Sequence, residues 1–280
     1  MKKIKHGISF VFNIINKNNY KDEYTNNVLN KKDINSFKYI PCDKNIFEAF
    51  FISEIFNLNK KKEDLLGAIL IKWIRDKYAK VIKYNKKKLF GNSKEIIAID
   101  LTNMPNYQFE NYYEKELYEM MFNASLDGIL EEHELKKWCN NNYSKFFKWF
   151  DKVKQDINRQ HINDGDIAVL KTGKLFQHDI YTINDKLCDE AKKLYGLKKY
   201  LLEFTKLDKK EFIDVKLWQD YLIFAQIFGI SSEVLKQFNN LYPELINSNK
   251  SYLNYNDILW VNTITKSGIN SALLARNGAK

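Results

Sequence analysis

Glu63-Asp64-Leu65-Leu66-Gly67-Ala68-Ile69-Leu70-Ile71-Lys72-Trp73-Ile74 is followed by Lys80-Val81-Ile82-Lys83-Tyr84 and then by Glu95-Ile96-Ile97-Ala98-Ile99-Asp100. The first run is apolar on nearly every side, which predicts a helix buried over most of its surface. Glu63 and Asp64 stand in its first turn, where the helix dipole favours acidic groups. The next two runs are rich in β-branched residues and bracket Lys86-Lys87-Lys88 and Gly91-Asn92-Ser93. Two short strands around a Gly-Asn turn read as a hairpin. Upstream, Ile46, Phe47, Ala49, Phe50, Phe51, Ile55 and Phe56 recur at helical spacing. Helix, helix, hairpin in so short a stretch is the layout of a winged helix.

The layout recurs. Tyr113, Leu117, Met120, Met121 and Ala124 predict a helix, Leu135, Trp138 and Cys139 another, and Tyr143, Phe146, Phe147, Phe150, Val153 and Ile157 carry an aromatic stripe onward. At that spacing the stripe reads as core, not as a base-stacking platform. Asp166 to Lys171, the Thr172-Gly173 turn and Lys174 to Thr182 predict a second hairpin. Asn184 or Asp185 can cap a helix through Phe204. Leu217 to Phe228 reads as a core helix, Gly229 as its left-handed end, and Ser231 or Ser232 as the start of another helix.

The expected fold is therefore mainly α, of the α+β class. Tandem winged-helix-like units with short β-hairpins are followed by a C-terminal helical piece. The boundaries that follow are a polar lead-in over 1–40, a first unit over 41–108, a second over 109–184, C-terminal helices over 185–245 and a weakly structured tail over 246–280. With 280 residues, 45% of them hydrophobic, the chain can bury about two ordinary cores. Ten Gly and three Pro disfavour a turn-dense β-sandwich.

Lys and Arg number 45 against 35 acidic residues, a formal charge of +10 that suits a polyanion. An abundance of Lys, Asn and Ile is also what an AT-rich coding sequence produces. Candidate polyanion contacts are Lys80, Lys83, Lys86, Lys87, Lys88 and Lys94, which would lie on the first hairpin. The helix before it offers mainly Lys72, Arg75, Asp76 and Lys77, a thin polar face for reading a groove. Three dispersed cysteines (Cys42, Cys139, Cys188) and four dispersed histidines have no metal-ligand spacing, so no cofactor is expected. Asn123 to Glu134 places oxygen-bearing residues like an EF-hand loop, with Gly128 at its sixth position. Only Asp127 supplies an early carboxylate, so an inter-helix turn is the expectation. With no Gly-rich phosphate loop and no GxSxG in the sequence, no catalytic residue is expected and the chain reads as non-enzymatic. Met1 to Asn16 is charged and then apolar, but no small-residue cleavage site follows. No window approaches the roughly 18–20 apolar residues that span a bilayer.

Several stretches taken together resemble a known family. Tyr39-Ile40-Pro41-Cys42-Asp43-Lys44, Asp64 to Ile74, Ala124-Ser125-Leu126-Asp127-Gly128-Ile129-Leu130-Glu131, Gly196-Leu197-Lys198-Lys199-Tyr200-Leu201 and Leu217 to Ala225 are similar to the C-terminal region of bacterial predicted membrane proteins with domain of unknown function 2207. The resemblance spans residues 39 to 245, and its most specific piece runs from Leu217 to Gly229, followed by Leu241-Tyr242-Pro243-Glu244. It implies a cytosolic module at the inner face of the cell membrane, with spans upstream and often a Gly-rich tail. Neither feature is in this sequence, so a fragment or a shorter relative is expected. The resemblance carries no catalytic residues. The expected role is protein–protein interaction or scaffolding with an unknown protein partner, and weak contact with an anionic membrane surface or nucleic acid. No small-molecule substrate is expected. The alternative is a soluble winged-helix nucleic-acid binder.

Overall fold

A computed structural model describes residues 23–86, 93–171, 179–206, 217–243 and 255–279. It is mainly helical, with two small three-stranded sheets. In chain order the elements are β1 (Glu23–Thr25), α1 (Ile46–Ile55), α2 (Lys62–Arg75), β2 (Lys80–Lys86), β3 (Lys94–Asp100), α3 (Tyr112–Ser125), β4 (Ile129–Glu131) and α4 (Glu132–Asn141). They continue as α5 (Tyr143–Asn163), β5 (Ile167–Lys171), β6 (Asp179–Ile183), α6 (Asp185–Phe204), α7 (Trp218–Ile227), α8 (Ser231–Leu241) and α9 (Tyr255–Gly278).

Both expected antiparallel strand pairs are present, while the turns read at Gly91-Asn92 and Thr172-Gly173 lie outside the described residues. β2 and β3 are antiparallel with Lys80 opposite Asp100 and Lys86 opposite Lys94, and β5 and β6 are antiparallel with Ile167 opposite Ile183. Each hairpin, however, takes its third strand from elsewhere in the chain. β4 lies antiparallel on β3, and β1, from the stretch expected to be a polar lead-in, lies parallel to β6. Tyr24 stacks on Tyr181 with centroids 5.1 Å apart, and Thr25 Oγ1 donates to Thr182 Oγ1 at 3.1 Å. The segments 41–108 and 109–184 thus share a sheet, and the second hairpin leans on residues 23–25.

α2 is central. Every residue from Asp64 to Ile74 is buried, with α7 and α9 packed against it. Burying one large aliphatic or aromatic side chain contributes about 1.5–3 kcal/mol, so a helix buried all round anchors the whole core. α7 is the expected core helix. Trp218 lies flat on Phe238, their centroids 3.4 Å apart and planes 8° from parallel. Asp220 and Gln226 are paired, Asp220 meeting Arg75 and Lys44, and Gln226 meeting Asp64 and Ser231. Gly229 ends the helix at φ +71°, against the Asp64 carboxylate.

One expectation is overturned. The tail 246–280, read as weakly structured, contains the long helix α9, which packs closely on α4. Its buried face includes Thr265 and Ser271 beside Ile258, Val261, Ile264, Ile269 and Ala272. Thr265 Oγ1 donates to the Val261 carbonyl at 2.9 Å and Ser271 Oγ to the Lys136 carbonyl at 3.0 Å. Hydroxyls satisfied this way can be buried, and they hide the helical period from a hydropathy reading. Residues 246–254 lie outside the described residues, as do 1–22.

Candidate functional site

Three of the lysines picked out from the sequence sit on an edge strand. Lys80, Lys83 and Lys86 are exposed on β2, which has β3 on one side, while Lys94 begins β3 opposite Lys86. Lys87 and Lys88 lie outside the described residues. Lys80 Nζ is 3.2 Å from Asp100 Oδ2, and Lys86 Nζ is 2.7 Å from Glu131 Oε1. Tyr84 donates to the same Glu131 oxygen at 2.6 Å. Burial would raise the Glu131 carboxyl, but these two hydrogen bonds outweigh it and hold the group below its ordinary value. The lysine ends of these pairs are exposed although Asp100 and Glu131 are largely buried, so the ammonium groups stay within reach of a polyanion. Among the described residues the hairpin carries charge on its exposed strand β2.

The helix ahead of the hairpin spends its polar face inside the protein. Lys72 Nζ is 2.7 Å from both Glu110 and Glu114, and Arg75 bonds Asp76 and Asp220, each at 2.7 Å. The EF-hand-like stretch is a turn. Ser125 Oγ accepts from the Gly128 N–H, Asp127 Oδ1 from the Ile129 N–H, and Glu131 with Glu134 forms a capping box on α4. Among the described residues no group of three or more His, Cys, Asp or Glu could hold a metal ion.

A second constellation was not legible in the sequence. Pro41 leads into Cys42, Asp43 and Lys44, whose φ angles are +54°, +46° and +66°. Three successive non-glycine residues in the left-handed region are strained. The Glu190 carboxylate accepts from the Cys42 N–H at 2.6 Å, Asn45 N–H donates to the Cys42 carbonyl at 2.7 Å, and Lys44 reaches Asp220 at 2.9 Å. This turn walls a cleft of about 380 Å³. Glu48 of α1, His161 from the last turn of α5, Asp166 before β5, and Lys186 and Glu190 of α6 line the rest.

His161 Nδ1 is 3.2 Å from Asp166 Oδ2, and its ring stacks on Phe51 with centroids 5.6 Å apart. Burial would raise the Asp166 carboxyl, but His161, Lys186 and Asn184 all bond it and hold it low, so it is a carboxylate. Burial and the nearby Glu48 and Glu190 charges push the Cys42 thiol well up. Thiolate is the reactive form, so Cys42 is not an activated nucleophile. The arrangement is suited to holding a polar ligand. One sequence signal did point here: His161 continues the buried stripe Phe146, Phe150, Val153 and Ile157 at three- and four-residue steps.

Among the described residues no helix is long and apolar enough to cross a membrane. No curated protein and no solved structure matches the chain. The stretches Gly196 to Leu201 and Leu217 to Ala225 fall inside a family match, whereas Tyr39 to Lys44, Asp64 to Ile74 and Ala124 to Glu131 fall outside it. Residues 167–238, from β5 into α8, match the family model described as "Predicted membrane protein (DUF2207) C-terminal domain".

Proposed function

We propose that this chain is a non-enzymatic interaction module of a membrane-associated protein, working by protein contact beside an anionic membrane surface. The observation that carries this reading over nucleic-acid binding is the state of α2. Reading a major groove takes an exposed polar helix face. In α2, Lys72 is buried between Glu110 and Glu114, and Arg75 is held by Asp76 and Asp220. The family match over residues 167–238 supplies the membrane context. The exposed lysines of β2 supply salt-sensitive attraction to an anionic leaflet. The tandem winged-helix-like reading belongs to the same proposal. It is supported by element order, because β1 precedes α1, α2 and the first hairpin just as β4 precedes α4, α5 and the second.

Vesicle co-sedimentation and fluorescence anisotropy test the proposal together. The purified chain should bind vesicles containing phosphatidylglycerol, release with salt, and ignore pure phosphatidylcholine. Duplex DNA should bind without sequence preference at about 10⁻⁴–10⁻⁶ M. Replacing Lys80, Lys83 and Lys86 with Ala should weaken all DNA sequences alike. Sub-micromolar, sequence-selective DNA binding would overturn the ranking in favour of a nucleic-acid reader.

A further inference from the structure

In the cleft beside the Cys42–Lys44 turn, two groups face each other without meeting. His161 Nε2 and Glu48 Oε1 are 3.9 Å apart, beyond hydrogen-bond reach. The His161 side chain is only 8% exposed. Its Nδ1 faces the Asp166 carboxylate, which also accepts from Lys186 and Asn184. A carboxylate only accepts, so Nδ1 carries a proton, and in the neutral imidazole Nε2 is then a lone-pair acceptor. The Glu48 carboxylate is an acceptor as well, and burial pushes its carboxyl up from the ordinary value. With the ring neutral, two acceptors on different elements stand 3.9 Å apart across the cleft.

The group that satisfies both is a cationic donor able to give two hydrogen bonds from one atom. A guanidinium fork matches the paired oxygens of a single carboxylate, whereas these acceptors belong to separate side chains. A tetrahedral ammonium meets the requirement. The surroundings agree with a cation, because Asp43 adds a carboxylate to the wall, while Lys186 and Lys193 are already paired with Asp166 and Glu190. Phe37, Ile40 and Leu187 offer apolar surface for a methylene stem. The volume of about 380 Å³ lies within the range of small-ligand sites, about 300–1,000 Å³.

We propose that this cleft binds a primary ammonium on an unbranched aliphatic stem, with His161 Nε2 and Glu48 accepting from the same nitrogen. The site is independent of the interaction role proposed above and can stand if that role fails.

The test follows the His161 ring by long-range ¹H–¹⁵N NMR in the full chain near neutral pH, with the signals assigned from a His161→Gln variant. Cadaverine serves as a free diamine and Nα-acetyl-lysine N-methylamide as a lysyl side chain, each against potassium chloride of matched ionic strength. The expected result is a saturable shift of the Nε2 signal with an amine and none with the salt. Glu48→Gln, checked for folding by circular dichroism, should weaken binding by about tenfold or more. A response to cadaverine alone identifies a free small amine, and one to the capped lysine alone identifies a lysine of a partner polypeptide. Absence of a saturable shift, or affinity unchanged in Glu48→Gln, overturns the proposal. So does a free protein whose His161 is protonated on both nitrogens, since the imidazolium would then serve Glu48 itself.

Discussion

Lys72 Nζ lies 2.7 Å from Glu114 Oε1, and the Glu114 side chain is wholly buried. Burial alone would pull the Lys72 ammonium down, yet Glu114 and Glu110 outweigh it and leave the group above its ordinary value. The pair ties the last turn of α2 to the first turn of α3, where the Asn111 side chain caps the helix at the Glu114 N–H. A residue that looks like a solvent-facing lysine in sequence is thus an internal strut.

Lys72→Met should destabilise the fold by roughly 3–5 kcal/mol, because it leaves Glu114 charged, buried and without its cation. Lys72→Met combined with Glu114→Leu should recover most of that loss, since apolar replacements of a buried pair are often neutral. Urea midpoints of the three proteins decide the matter. A single variant as stable as wild type would mean that Glu114 finds water.

Trp218→Ala should cost roughly 3–5 kcal/mol, the usual loss for a buried large aromatic. The indole is buried and covered by the Phe238 ring. The comparison is urea unfolding of the two chains without detergent. An unchanged midpoint would place this face of α7 in solvent.

Asp64 gives stability a pH dependence of its own. Burial pushes its carboxyl up to about 6, against the Asn59 hydrogen bond that lowers it. The folded state therefore holds the proton more tightly than the unfolded chain, whose aspartates titrate near about 3.9. The associated stability is full below that value and is lost as pH rises through about 6, a change on the order of 2 kcal/mol. Asp64→Asn should abolish this decline, so the stability difference between variant and wild type should shift in the variant's favour from pH 4 to pH 7. Parallel pH profiles would show that Asp64 does not titrate in that window.

Gly196→Ala should destabilise by about 1–3 kcal/mol, the usual cost of overpacking. A Cβ there would stand 2.8 Å from the Asn35 carbonyl oxygen and 2.8 Å from Phe37 Cβ, atoms with little freedom to move. The Phe37 N–H donates to the Gly196 carbonyl at 3.0 Å, so the strand of chain leading to the cleft would be pushed off α6. Thermal melts of the two proteins check this, and an unshifted melting temperature would show that the segment yields freely.

Local pattern carried much of this fold. The all-round apolar run of α2, the three- and four-residue steps of α5 and α7, and the β-branched runs of both hairpins each declare their element within a few turns of chain. The same is true of the Asn184 cap, whose side chain accepts from the Leu187 N–H at 2.9 Å. The resemblance over Gly196 to Leu201 and Leu217 to Ala225 was equally legible, and the family match falls there.

Tertiary structure alone decided the rest. β1 and β4 are three residues each, too short to show a period, and β1 finds its partner 157 positions away, as the Thr25–Thr182 hydrogen bond records. Whether Lys72 faces water or Glu114 depends on where α3 arrives, which no residue of α2 specifies. The cleft draws Cys42, Glu48, His161, Asp166 and Glu190 from three separate stretches, and of these only His161 falls on a period the sequence shows. Periodicity encodes which face of an element is buried. What that face meets, and so whether a charge is a strut, a surface group or part of a site, is fixed only when distant elements pack.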